Sequence, residues 1–77
     1  MNRKNFLELI SFVANVGGII YYEELLEELK NNKCNISEIE MMKEIKEISN
    51  LFKLWLKEFT WSNEDANYMH YIINISE

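Results

Sequence analysis

Proline is absent, glycine occurs twice, and cysteine once, and each scarcity narrows what these 77 residues can be. The lone Cys34 cannot form a disulfide within the chain or anchor a cysteine-based metal cluster, so a reducing compartment is expected. The longest uncharged run, Leu9 to Tyr22, is fourteen residues and contains Asn15, Gly17 and Gly18. A bilayer span needs about 20 mostly apolar residues, so no membrane contact is expected. Met1-Asn2-Arg3-Lys4 is mildly basic, but Glu8 interrupts the apolar run and no small-residue cleavage site follows, which argues against a signal peptide. The expected location is therefore the cytoplasm, that of the host cell for a viral protein.

Positive charge is also scarce. Thirteen acids stand against eight bases, giving a formal net charge of −5, and Arg3 is the single arginine. Nucleic-acid domains are characteristically basic because phosphate neutralisation supplies much of their affinity. Here the bases cluster only as Arg3-Lys4 and Lys30-Lys33. Catalytic and metal signatures are missing as well. His70 has no Cys, second His or paired acid at ligand spacing. No serine or cysteine is set against it in a nucleophile motif. The glutamate-rich segment lacks the alternating oxygen ligands and glycine of a calcium loop. Neither an enzyme nor a metal or cofactor is expected.

What the chain does have is apolar mass. Hydrophobic residues make up 48%, too many for a disordered segment at this net charge. A single domain is expected over residues 1–77, near the size where only about 60% of the unfolded surface is buried. Abundant Asn, Ile, Lys and Glu beside scarce Gly, Ala, Arg and Pro match AT-rich codons. That composition points to a low-GC bacterium, its phage or an archaeal virus.

Phe6, Leu9, Ile10, Val13 and Val16 recur at helical spacing before Gly17-Gly18, predicting a helix over 2–16. Ile19-Ile20-Tyr21 is a β-favouring triplet and predicts a short strand. Glu23, Glu24, Glu27 and Glu28 around Leu25, Leu26 and Leu29 predict a second helix over 23–31, with acids at its start and Lys30 at its end. Ser37 and Glu40 form a capping box, opening a third helix over 37–52 that buries Met41, Ile45, Ile48 and Phe52. From Leu54 the pattern alternates with period two through Trp55, Lys57, Phe59 and Trp61. After the turn-like Asn63-Glu64-Asp65-Ala66-Asn67 comes Met69, Tyr71, Ile73 and Ile75, and the two stretches predict an antiparallel β-hairpin over 54–75.

Helix, short strand, two helices and a hairpin make an α+β fold, and this order resembles the winged helix-turn-helix family over roughly residues 4–76. The alternative is a helical hairpin on a two-stranded sheet with different connections. Tyr22 departs from the family pattern, which commonly places Ser, Thr or Asp at that cap. The resemblance implies that the third helix would enter the DNA major groove, with the hairpin as the wing. That helix carries Glu40, Glu44 and Glu47 on its expected outward face, Glu38 at its leading end, and only Lys43, Lys46 and Asn50 as base-reading types. The wing tip is Glu64-Asp65.

Trp55, Phe59, Trp61, Tyr68 and Tyr71 crowd the last third of the chain, either as core or as a partner surface. The resulting expectation is a small acidic protein-interaction module, a phage or mobile-element factor that regulates or inhibits a host nucleic-acid machine by contacting a basic protein surface. The contact residues would be Glu38, Glu40, Lys43, Glu44, Glu47, Asn50, Trp61 and Tyr68, assisted by the acids of the second helix, and the hairpin would offer a homodimer interface. The alternative is a dimeric DNA-binding transcriptional regulator, and a third reading is an enzyme accessory subunit.

Overall fold

A computed structural model describes residues 2–33 and 35–77; Cys34, and with it the redox expectation, lies outside them. Four helices follow in order: α1 Arg3–Gly17, α2 Ile20–Lys30, α3 Glu38–Glu58 and α4 Asn63–Ser76. The chain divides into two compact units, 1–37 and 38–77. In the first, α1 packs on α2; in the second, α3 packs on α4.

In the first unit, the Asn2 side chain caps α1 by accepting the Asn5 amide at 2.8 Å. Phe6, Leu9, Ile10, Val13 and Ala14 are buried along one stripe. Gly18 then turns the chain at φ +60°, a left-handed conformation that costs glycine nothing. Only Ile19 separates it from α2, and the Ile19 carbonyl accepts the first helical amides, from Tyr22 at 3.0 Å and Glu23 at 3.2 Å. The expected strand at 19–21 is therefore absent. Tyr22, Leu25 and Leu29 are buried at spacings of three and four, and this row extends the helix backward through Ile20 and Tyr21. Tyr22 is thus an inward-facing helical residue, not a cap.

The end of α2 is a Schellman turn built on asparagine. Asn32 has φ +56°, and the amides of Asn32 and Lys33 reach the carbonyls of Leu29 at 3.3 Å and Glu28 at 3.0 Å.

In the second unit, α3 starts at Glu38, which leaves Ser37 at the N-cap position. Ile45, Ile48, Phe52 and Trp55 are buried at spacings of three, four and three, one helical stripe with no change of period. Helix α3 therefore runs on to Glu58 rather than giving way to a strand after Phe52. The supposed turn at Asn63-Glu64-Asp65 is the first turn of α4. Ser62 caps it by accepting the Asp65 amide at 3.2 Å, and the two acids sit at the positive end of the helix dipole. Met69 and Ile72, which alternation would place on opposite faces of a strand, are buried together three residues apart. Tyr71 and Ile75, which the same alternation would place on one strand face with the buried Met69, are exposed.

No strand occurs among the described residues, so the α+β class, the β-hairpin and the winged helix-turn-helix resemblance are all corrected to an all-helical chain. The wing, and the homodimer expected through it, lose their structural basis.

Asn32 provides a test of the first unit. Replacing it by Gly, which occupies the left-handed region freely, should leave stability unchanged or raise it by up to ~1 kcal/mol. Asn32→Val should lower it by about 1–2 kcal/mol. Urea unfolding followed by circular dichroism measures both; a neutral valine would show that this turn does not limit the unit.

Candidate interaction surfaces

Once Tyr22, Leu25 and Leu29 face inward, the helical period turns Glu23, Glu24, Glu27 and Glu28 to solvent, and all four are exposed. Each lies three or four residues from another, so the carboxylates form one continuous patch, with no ion pair to a base among the described residues. Ile20 at the N-terminal end of the same face is 69% exposed. Like charges at this spacing repel by a few tenths of a kcal/mol per pair, a cost that a cationic partner relieves.

Helix α3 sorts its charges differently from the sequence expectation. Glu40 and Glu47 are exposed, but Glu44 is half-buried, with its Oε2 oxygen withdrawn from solvent. Opposite the buried stripe runs the row Ile39, Lys43, Lys46, Asn50, Lys53 and Lys57, spaced four, three, four, three and four, and exposed throughout. From Lys43 to Lys57 this row spans about 21 Å at 1.5 Å per residue. A helix that ends at Phe52 hides this row, because Lys53 and Lys57 then fall outside it. Extending the three-and-four spacing past Phe52 would have found it.

Two shallow hollows lie along this row. The first, about 370 Å³, is lined by Ile39 and Met42 with Glu38, Lys43 and Lys46 around them. The second, about 410 Å³, is polar and lies between Lys46, Asn50, Lys53, Ser49, Ser76 and Glu77. Beneath it the Ser76 hydroxyl is 2.8 Å from both Ser49 Oγ and the Ile73 carbonyl oxygen. A hydroxyl has one proton, so when Ser76 donates to the carbonyl its oxygen accepts from Ser49. That bond satisfies the otherwise buried Ser49. Lys53 pairs with Glu77 at 3.2 Å, both side chains well exposed, a contact of small energetic value.

The aromatic residues form the corner between α3 and α4. Trp61 stacks on Trp55 with ring centroids 5.6 Å apart. Its Nε1 donates to the Trp55 carbonyl at 2.9 Å, which also accepts the Phe59 amide at 2.9 Å. Phe52 touches Trp55 at 5.7 Å and Tyr68 at 6.4 Å. Trp61 and Tyr68 are both half-buried in this cluster. Phe59 meets Trp61 edge-on at 6.5 Å and remains 61% exposed. The corner thus engages two residues expected at a partner interface, while Glu38, Glu40, Lys43, Glu47 and Asn50 are solvent-exposed.

Among the described residues no group of three or more His, Cys, Asp or Glu side chains could hold a metal ion. His70 is exposed on α4. Among the described residues no helix is long and apolar enough to cross a membrane. Comparison with known proteins returned no match: no family model fits the chain, and neither a curated protein nor a solved structure matches it.

Trp61 separates its two contributions cleanly. Trp61→Phe keeps a ring on Trp55 but removes the indole donor, and should cost about 1 kcal/mol. Trp61→Ser also removes the stack and should cost about 2–3 kcal/mol, less than a fully buried tryptophan. Thermal unfolding monitored at the Trp55 fluorescence reads both; a Trp61→Ser chain as stable as the parent would release this ring for partner contact.

Proposed function

We propose that this chain is a small acidic protein-interaction module that acts by contacting a basic surface on another protein. The observation that carries this reading is the α2 face, where Glu23, Glu24, Glu27 and Glu28 are exposed together, with Ile20 beside them. A carboxylate patch bordered by an apolar side chain suits a cationic partner. The charges steer the encounter, and the apolar contact adds area that salt does not screen. Glu38, Glu40 and Glu47 on α3 extend the set of exposed acids. Proteins that handle nucleic acids expose basic grooves, so a regulator or inhibitor of such a machine fits this chemistry, with glutamates standing where phosphates would lie. Trp61, Tyr68 and Glu44 have a supporting role, since their side chains are partly withdrawn into the second unit.

A second reading, a regulator that binds nucleic acid directly, draws on the lysine row of α3. Against it stand the net charge of −5 and the neighbouring Glu40 and Glu47. A mobility shift with random duplex DNA at about 20 mM salt, lost on Lys46→Glu with Lys53→Glu, would favour it.

The leading reading is tested by NMR titration with an unstructured lysine-rich peptide. Shift changes should concentrate in α2, and affinity should fall several-fold between about 50 and 300 mM salt. They should vanish when Glu23, Glu24, Glu27 and Glu28 are all replaced by Gln. Peptide binding that survives this replacement contradicts the assignment of α2.

A further inference from the structure

We propose that the apolar hollow at the start of α3 receives α2 of a second copy of this chain; this rests on α2 being an acidic docking helix and names its partner. Ile39 is 72% exposed and Ile20 69%, more than any other large hydrophobic among the described residues. Each heads a charged row of the same spacing. On α2 the row is Ile20, Glu24 and Glu27; on α3 it is Ile39, Lys43 and Lys46. Four and then three residues separate the members in both, a span of about 10 Å.

Laid parallel, the rows bring Ile20 onto Ile39 and Met42, Glu24 to Lys43 and Glu27 to Lys46. The antiparallel arrangement would set Ile20 against Lys46 and Glu27 against Ile39, so register and charge together select the parallel one. The hollow of about 370 Å³ supplies the apolar floor for Ile20, and its lysines supply the rim. Glu38 also lines it, one residue N-terminal to Ile39 and outside the row that carries the two lysines.

This contact joins unlike faces, so each copy keeps one free acceptor and one free donor, and assembly continues unless it closes into a ring. The contact is small and both copies are net negative, which places it among weak interactions that need high concentration. General repulsion and local attraction are both screened by salt. Charge reversal at fixed salt is therefore the cleaner probe.

The experiment is sedimentation velocity from about 10 µM to 1 mM, a range that suits so small an interface. The average mass of the wild type should rise above the monomer with concentration. Glu24→Lys with Glu27→Lys should hold the chain at monomer mass, because lysines then face lysines. Lys43→Glu with Lys46→Glu should do the same through facing glutamates. An equimolar mixture of the two variants should assemble again, as should the chain carrying all four reversals. All four substituted side chains, Glu24, Glu27, Lys43 and Lys46, are exposed, and circular dichroism checks that each variant is folded. A wild type that stays monomeric, reversals that assemble like the wild type, or a mixture that does not assemble overturns the proposal. If the monomeric wild type still binds the lysine-rich peptide through α2, the acidic docking helix stands and only its partner is wrong; if that binding is absent too, both fall.

Discussion

Isolated helices of this length are marginal in water, because nucleation fixes several residues for one hydrogen bond. Each helix of this chain therefore depends on burying its apolar stripe against a neighbour. Phe6, Leu9, Ile10 and Val13 of α1 meet that requirement with Tyr22, Leu25 and Leu29 of α2. Ile45, Ile48, Phe52 and Trp55 of α3 meet it with Met69 and Ile72 of α4. In the second unit the condition also sets the turn: Trp61 folds back on Trp55, stacking the ring and donating to its carbonyl. Four residues then suffice to join the helices.

The buried stripes determine the surfaces. Once one face of a helix is committed inward, every charge on it takes a fixed place on the outside, and net charge ceases to describe what a partner meets. Helix α2 shows carboxylates and Ile20; α3 shows a lysine row headed by Ile39, with Glu40 and Glu47 to one side. A chain of net charge −5 thus carries a basic surface as well as an acidic one. That segregation underlies the reading of the chain as an interaction module.

Local signals were legible where they had a single interpretation. Asn2 and Gly18 bound α1, Asn31-Asn32 closes α2, and Ser37 precedes α3, each near the position the sequence indicated. The last third was not legible because its residues satisfy two periods. Trp55, Lys57, Phe59 and Trp61 alternate in type, yet Trp55 also completes the stripe from Ile45. Aromatic and β-branched residues tilt a short window toward a strand, and packing across the whole helix overrides that preference. Ser62 before Asn63-Glu64-Asp65 has the form of a helix start as much as that of a turn. Among the site residues, exposure of Glu40, Lys43 and Glu47 followed from the third helix alone. Engagement of Trp61 depends on the fold-back of the α3–α4 corner onto Trp55, six residues earlier, which an extended strand would not make.

The continuity of α3 through Lys53–Glu58 is the point on which both the all-helical fold and the lysine row turn. Backbone NMR tests it directly through Cα and Cβ secondary shifts and i to i+3 NOEs across Phe52–Glu58 and Tyr68–Ile75. Helical shifts with unbroken i to i+3 contacts are the predicted result. Strand-like shifts, with cross-strand contacts between these two segments, would contradict it.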